Sequence, residues 1–333
     1  MTQQTINIIG AGIFGLWQAY TLSRAGFKLR IYERSKTPFT SSASWLAGAM
    51  LAPYCETEPS QPELLPLSLE ALELWRDGPL DVSFNGTLVI APPRDKVELM
   101  GFQKRTEGHD WLKHDAVSAM EPDLEGRFED ALFYKEEAHV APRPAMQRLL
   151  DESIAMGAEL ILGHEGEDYA AADHTIDTRG IGAANGLSEL RPVRGEMAVI
   201  RSSEIHLSRP VRLLHPRVPC YIVPWPDQYF MVGATVVESD DEGPVLLRSG
   251  LELLGAAFSV HPAFGQAQII ELSAGLRPSL PNNIPRILLQ DDRIYVNGAY
   301  RHGFLLAPLL AARVYDYINT GAIDERLLHA SGD

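Results

Sequence analysis

The chain contains 333 residues, with 29 Lys and Arg against 44 Asp and Glu, so its formal net charge is −15. Nucleic-acid affinity comes mainly from Lys and Arg that neutralise phosphates, and this acidic sequence has no long basic run. The composition therefore argues against a nucleic-acid-binding protein. The length predicts about two domains, and a hydrophobic content of 45% is sufficient to form their cores.

The sequence carries no signal for a membrane or a metal. Its first residues lack the basic segment of a secretory signal, and the longest apolar stretch, residues 304–312, is about half of a bilayer span. The two cysteines, Cys55 and Cys220, are far apart, and the histidines have no metal-ligand spacing. We therefore expect a cytoplasmic protein with no membrane contact, no disulfide framework and no metal site.

The N-terminal residues predict a strand, a tight turn, a helix and a second strand. Residues 6–9 form the first strand, and the helix runs to about residue 25, where Gly26 is placed to cap it. Residues 28–32 form the second strand, which ends at Glu33. This order predicts the βαβ opening of a nucleotide-binding domain.

The rest of the chain alternates between helical and strand-rich segments. Helices are predicted over residues 63–76, 142–157, 244–258 and 303–318. Strands are predicted over residues 84–91, 159–162, 175–178, 197–200, 211–214, 221–224, 229–232 and 294–296. Short helices and strands are predicted to mix between the first of these strands and residue 137. Nucleotide-binding patterns thus occur at the start, the middle and the end of the chain.

The predicted fold class is α/β with two interleaved domains, because no flexible linker separates the patterns. Residues 1–80, 138–195 and 270–333 are expected to form a discontinuous, Rossmann-like nucleotide-binding domain. Residues 81–137 and 196–269 are expected to form an α+β substrate domain that contains an antiparallel sheet.

The motif Gly10-x-Gly12-x-x-Gly15 lies between the first strand and the first helix. Its glycines permit a tight turn, the approach of a pyrophosphate to the backbone and close packing of helix on strand. Glu33 is placed to accept hydrogen bonds from a ribose diol and to repel a 2′-phosphate. The motif alone fits FAD or NAD, but a nucleotide domain completed by the C-terminal strand and helix favours FAD.

Four blocks of sequence carry a family resemblance. They are the N-terminal unit through Glu33, residues 42–53, residues 221–224 with 232–235, and residues 274–278 with 297–308. With these blocks the chain resembles the D-amino-acid oxidase superfamily of FAD enzymes and, within it, the glycine oxidases of thiamine biosynthesis. One departure is Ala49, which stands where the family usually has Gly before Met-Leu.

The resemblance implies a non-covalently bound FAD, since neither cysteine lies near the chain end, where related sarcosine oxidases attach their flavin. The positions that match the cofactor-binding motifs are Gly10, Gly12, Ile13, Phe14, Gly15, Glu33, Arg34, Ser42, Ala47, Gly48, Ala49, Met50, Arg301, His302, Gly303, Phe304 and Leu305. Gly303 begins a helix whose N-terminus would stabilise negative charge on the reduced flavin.

Three residues match the substrate site of the family. Arg277 matches the arginine that binds the substrate carboxylate, and Tyr221 the tyrosine that donates a further hydrogen bond to it. Arg301 is a second arginine at the site. Guanidinium groups suit this task because they bind carboxylates through two parallel hydrogen bonds and stay charged when desolvated.

The resemblance implies oxidation of glycine or a similar small amino acid, with hydride transfer from Cα to flavin N5 and reoxidation by O₂. The imine would hydrolyse or pass to a thiazole synthase, and a homo-oligomer is compatible with this interpretation. Two alternatives are a D-amino-acid or sarcosine-type dehydrogenase with a non-oxygen acceptor, and a non-catalytic flavin-binding regulatory protein. Trp45 is expected either near the flavin or in the core, and residues 238–242 in a solvated loop or a lid.

Overall fold

Two large β-sheets and the helices packed on them make up this computed structural model, which describes residues 3–56, 61–290 and 292–330. The strands are β1 (Thr5–Ile9), β2 (Lys28–Glu33), β3 (Met50–Leu51), β4 (Thr87–Ile90), β5 (Asp110–Lys113), β6 (Asp130–Tyr134), β7 (Ala138–His139), β8 (Glu159–Leu162), β9 (His174–Asp177), β10 (Arg191–Arg201), β11 (Val211–Leu213), β12 (Cys220–Trp225), β13 (Tyr229–Gly233), β14 (Gln268–Ser279), β15 (Arg286–Gln290), β16 (Arg293–Asn297) and β17 (Leu328–Ala330). The α-helices are α1 (Ile13–Arg24), α2 (Leu64–Arg76), α3 (Lys96–Arg105), α4 (His114–Met120), α5 (Pro142–Ala155), α6 (Leu247–Val260) and α7 (Gly303–Thr320).

The first sheet has seven strands in the order β17-β15-β16-β9-β1-β2-β8. All of its pairs are parallel except β15 with β16. Strand β1 is central, and its Ile6 and Ile8 are completely buried. Helix α1 packs against both α5 and α7, so that its core side chains, such as Leu16, are removed from water, and each such side chain contributes about 1.5–3 kcal/mol.

The second sheet has eight strands in the order β14-β10-β13-β12-β11-β4-β6-β5. Its pairs are antiparallel except for β11 with β4. Helix α6 packs against β10, β12 and β13. The predicted α/β fold, with a largely parallel sheet and a largely antiparallel sheet interleaved along the chain, is confirmed. Among the described residues, no helix combines the length and apolar character needed to cross a bilayer.

The strand predicted over 197–200 is in fact part of the longer strand β10, which pairs with β14 along its length. The sequence concealed its first half because Arg194 and Glu196 are charged, a pattern that normally lies outside a core strand. Both are buried, and Arg194 Nη2 lies 2.8 Å from Glu196 Oε1. The proposed domain boundaries at 195 and 270 therefore fall inside two paired strands.

Gly15 sets the distance between α1 and β1. A Cβ at this position would lie 1.9 Å from Gly10 O and 2.7 Å from Thr178 Oγ1. The hydroxyl of Thr178 donates to Ile9 O at 2.9 Å and to Gly10 O at 2.8 Å. The absence of a side chain at Gly15 therefore allows the first turn of α1 to contact the end of β1 and its neighbour β9.

Replacing Gly15 with Ala is expected to lower the free energy of unfolding by about 1–3 kcal/mol, because the new methyl group must displace α1 from β1. Gly255→Ala is the matched control, since a Cβ on this exposed residue of α6 meets nothing within 4 Å. In that helix, Ala is expected to add about 0.5–1 kcal/mol of stability. Urea unfolding of both variants measures the difference, and equal stabilities would contradict the packing role.

Candidate active site

A cleft of about 1060 Å³ lies where the two sheets meet. Its lining comes from the C-terminal ends of β1, β2, β9 and β16 and from residues of β10, β12 and β14. The C-terminal ends of parallel strands are the usual place for a ligand in an α/β sheet. The cleft therefore lies between the C-terminal edge of the parallel sheet, where nucleotides usually bind, and the antiparallel sheet.

The N-terminus of α1 lines part of this cleft. Gly10 has φ +99°, a left-handed conformation that suits glycine. Gly12 is the N-cap of α1, with no side-chain cap, and the first turn has no acidic residue. A Cβ at Gly12 would lie 3.1 Å from Ser42 Oγ. This arrangement leaves room and positive potential for a pyrophosphate group.

Glu33 lies at the end of β2, only 5% exposed. Its Oε2 accepts a hydrogen bond from Ala11 N at 3.1 Å, and its Oε1 accepts one from Ser35 N at 2.9 Å. The neighbouring Arg34 also lines the cleft. The carboxylate is thus fixed beside the glycine turn, where a ribose diol can donate to its remaining lone pairs.

Three rings beyond Glu33 form a cluster that the sequence analysis missed. Tyr32 lies 4.9 Å from His164 and 5.0 Å from Tyr169, measured between ring centroids. All three residues line the cleft. Glu167 holds their loop by ion pairs with Arg179 and Arg293. The rings offer flat apolar surface for a purine, but no local motif in the sequence marks them.

The segment from Ser42 to Met50 forms one wall of the cleft. Gly48 faces the antiparallel sheet, since a Cβ there would lie 2.8 Å from Tyr221 Cε2. Ala49, at the family's usual glycine position, has φ +53°. The side chains of Ala47 and Met50 also line the wall. The segment that the sequence analysis expects beside the cofactor therefore lines the cleft.

Trp45 does not line the cleft, although its neighbours do. Its ring stacks on Phe39, with the two ring centroids 6.0 Å apart. The Arg143 guanidinium carbon lies over the Trp45 ring, 4.7 Å from its centroid. Of the two expectations for Trp45, the structure supports packing over flavin contact.

The N-terminus of α7 forms the opposite wall. The helix begins at Gly303, with no side-chain cap at His302 and no acidic residue in its first turn. Burial and the neighbouring Arg301 cation lower the pKa of His302 to about 3, so its imidazole is neutral. Trp75 Nε1 donates to Phe304 O at 3.2 Å and Leu305 O at 3.0 Å, which fixes the first turn.

Arg277 and Tyr221 lie together at the antiparallel end of the cleft. Arg277 Nη1 donates to Thr235 O at 3.1 Å. Burial lowers the pKa of Arg277, while the nearby Tyr221 opposes that shift. Gly195 leaves space for the guanidinium, because a Cβ there would lie 2.3 Å from it. A guanidinium held beside a phenol in a half-buried recess suits a carboxylate.

Arg301 is joined to two residues that the motif analysis did not identify as site residues. Its Nη2 lies 2.5 Å from Glu56 Oε2, and the other oxygen of Glu56 forms an ion pair with Arg212. Cys55, beside Glu56, is completely enclosed, and burial raises the pKa of its thiol well above its usual value. The three charged groups come from distant parts of the chain, so no sequence spacing reveals their contact.

The cleft is lined by every predicted site residue except Gly15, whose place is in the packing beneath it. From the acidic run 238–242, Glu242 lines the cleft, whereas Glu238 pairs with Arg191 and the Asp241 carbonyl accepts from Arg194. The two helix N-termini, neither with a side-chain cap from its N-cap residue, and the fixed Glu33 carboxylate fit an FAD-type dinucleotide. Arg277 lines the same cleft.

The comparisons with known proteins agree with this geometry. A family model described as DAO, FAD dependent oxidoreductase, matches residues 5–317. The chain is 47% identical to a Rhizobium etli protein assigned as the thiamine biosynthesis oxidoreductase ThiO, over 93% of this chain and 94% of the relative. It is 28% identical to glycine oxidase of Bacillus licheniformis, over 93% of this chain and 92% of that protein.

The crystal structure of glycine oxidase from Bacillus cereus has a TM-score of 0.82 to this chain at 22% identity, covering 98% of this chain and 97% of that one. This similarity shows a shared fold, and the family match extends over nearly the whole sequence. The predicted resemblance to glycine oxidases and the prediction of an FAD enzyme are therefore confirmed: the chain belongs to the DAO family of FAD-dependent oxidoreductases.

Proposed function

We propose that this enzyme oxidises glycine or a similarly small amino acid, with O₂ as the electron acceptor and an imine product that feeds thiamine thiazole synthesis. The observation that carries the proposal is the half-buried pair of Arg277 and Tyr221, which lines the same cleft as the glycine turn and Glu33. The names of the two relatives, glycine oxidase and thiamine biosynthesis oxidoreductase, support the substrate and the pathway. Hand-off of the imine to a thiazole synthase is part of the proposal.

Arg277 binds the substrate carboxylate in this proposal, and the Tyr221 hydroxyl donates a further hydrogen bond to it. Two points of attachment fix the Cα–H bond relative to the flavin. Orientation and desolvation then supply most of the catalysis. The reaction requires no separate general base, because a substrate amine that arrives neutral uses its own lone pair to form the C=N bond.

FAD held by the glycine turn, Glu33 and the wall from Ser42 to Met50 would supply the acceptor for the hydride from Cα and the two electrons that reduce O₂ to H₂O₂. The chain supports this chemistry through the N-terminus of α7, whose uncapped first turn places positive potential beside the cleft. The neutral imidazole of His302 adds no charge there. The imine leaves to a partner or hydrolyses to glyoxylate and ammonia.

Non-covalent attachment of FAD is also part of the proposal. Cys55 and Cys220 are free and buried. Burial raises the pKa of Cys220 to about 12 and that of Cys55 well above its usual value. Both thiols therefore stay protonated and unreactive near neutral pH. The proposed ligands of the cofactor are the backbone of the glycine turn, the carboxylate of Glu33 and the wall from Ser42 to Met50.

Anaerobic addition of glycine to the purified protein is expected to bleach the flavin absorbance, because the substrate reduces the cofactor. Admitting air should restore the absorbance and release H₂O₂. The screen should include sarcosine and small D-amino acids. If none of these compounds reduces the flavin, the proposed oxidation is wrong. Bleaching without rapid reoxidation by air would instead support a dehydrogenase with another acceptor.

Replacing Arg277 with Met is expected to raise the KM for glycine by about 10- to 100-fold, since a charge-assisted hydrogen bond contributes about 1.5–3 kcal/mol. The flavin spectrum should be retained. Arg148→Met is the matched control, because Arg148 is exposed on α5 and pairs only locally, with Glu152. Steady-state kinetics compares the two variants. An unchanged KM in the Arg277 variant would remove this residue from substrate binding.

Glu33→Gln is expected to weaken FAD binding by about tenfold or more, because the charged acceptor for the ribose diol is lost. The measurement is quenching of FAD fluorescence during titration of the apoprotein. Glu159→Gln, on the exposed start of β8, removes the same charge at a distance. Equal dissociation constants for the wild type and the Glu33 variant would contradict the ribose role.

A further inference from the structure

We propose that Glu56 is a specificity-determining residue, which pairs with both Arg212 and Arg301 at the substrate end, offsets one of their two positive charges and thereby disfavours amino acids that carry a second acidic group. This inference rests on the proposed amino-acid oxidation at the same site. It adds a defined substrate class, small monocarboxylates, to that function. The argument depends on three features: the shared carboxylate, the fixed position of Arg212 and the anchored turn that carries Glu56.

The carboxylate of Glu56 joins two guanidinium groups inside the cleft. Its Oε2 lies 2.5 Å from Arg301 Nη2, and its Oε1 pairs with Arg212 Nη1. The side chains of Glu56, Arg212 and Arg301 are 11%, 15% and 21% exposed. Glu56 itself lines the cleft together with Arg277 and Tyr221. The carboxylate therefore acts where a substrate is expected to bind.

Arg212 has little freedom to leave this arrangement. Its Nη1 also donates to Cys55 O at 2.7 Å, and its guanidinium lies 5.3 Å from the Phe102 ring centroid. On the sheet, Arg212 of β11 is directly opposite Tyr221 of β12. Directly opposed residues of an antiparallel pair project from the same face. The strand pairing thus places the Arg212 charge beside the proposed carboxylate-binding tyrosine.

The turn that carries Glu56 is anchored from the other side by Glu137. Glu137 is completely buried, and its Oε1 accepts hydrogen bonds from Tyr54 N at 2.9 Å and Cys55 N at 2.7 Å. The backbone immediately before Glu56 is therefore held by two hydrogen bonds. Glu56 reaches Arg301 and Arg212 from a fixed base rather than from a freely placed side chain.

Electrostatics gives this arrangement a consequence for substrate choice. Two guanidinium groups close together and largely shielded from water repel each other and attract any anion that reaches them. The Glu56 carboxylate satisfies that attraction permanently. A second acidic group on a substrate must then compete with Glu56, whereas the single carboxylate of glycine binds at Arg277. Removing the Glu56 charge makes the substrate end more positive by one unit.

The kinetic test compares kcat/KM for glycine with kcat/KM for two dicarboxylates, iminodiacetate and D-aspartate. In Glu56→Gln, the ratio of dicarboxylate to glycine is expected to rise at least about tenfold, the equivalent of one charge-assisted contact. Glu159→Gln, the exposed control on β8, should leave the ratio at its wild-type value. A ratio that stays constant in Glu56→Gln, or falls, overturns the proposal.

A binding test separates this inference from the proposed oxidation. Acetate and malonate are titrated into the flavin-loaded protein, and binding is followed through the flavin absorption spectrum. Glu56→Gln should lower the dissociation constant of malonate relative to that of acetate. Arg212→Met, which removes a positive charge, should raise it. Opposite shifts support the charge argument even if no amino acid is oxidised. Parallel shifts in the two variants, or none, overturn it, and the Arg212 variant keeps the test valid if Glu56→Gln does not fold.

Discussion

The close approach of α1 to the end of β1 is the constraint on which the cleft depends. Gly15 contacts Gly10 O and Thr178 because it has no side chain, and Thr178 in turn donates to the carbonyls of Ile9 and Gly10. This contact fixes the helix N-terminus at the C-terminal edge of the sheet, where Glu33 also ends its strand. The relative position of the α1 N-terminus and the Glu33 carboxylate therefore follows from one packing distance.

A different constraint acts where the antiparallel sheet lines the cleft, because charged side chains lie on its strands. Arg277 fits only because Gly195, its neighbour on β10, has no side chain. Arg194 and Glu196, on either side of that glycine, are buried and paired with each other. Buried charges are tolerated when they are paired and hydrogen-bonded. The sheet thus holds its cationic recess with compensating contacts rather than with exposure to water.

The sequence predicted the parts of the site that lie within short motifs. Gly10, Gly12 and Glu33 belong to one βαβ unit, so local structure sets their positions relative to each other. Arg277 and Tyr221 were reached through the family resemblance, since residue spacing alone does not relate β14 to β12. Glu56 and Arg212 were missed as partners because their contact joins segments that are far apart in the sequence. The neighbouring hydrogen bond between Arg212 and Cys55 spans 157 residues.

Ala49 shows how backbone pairing, rather than residue type, sets the course of the chain beside the cleft. Its φ of +53° costs an L-residue about 1–2 kcal/mol, a cost that glycine would avoid. Here the conformation is imposed from both sides: Ala49 O accepts from Val140 N at 3.1 Å, and the following Met50 pairs with His139. The short β3–β7 ladder therefore maintains the backbone path, and Ala49 is buried in the cleft wall.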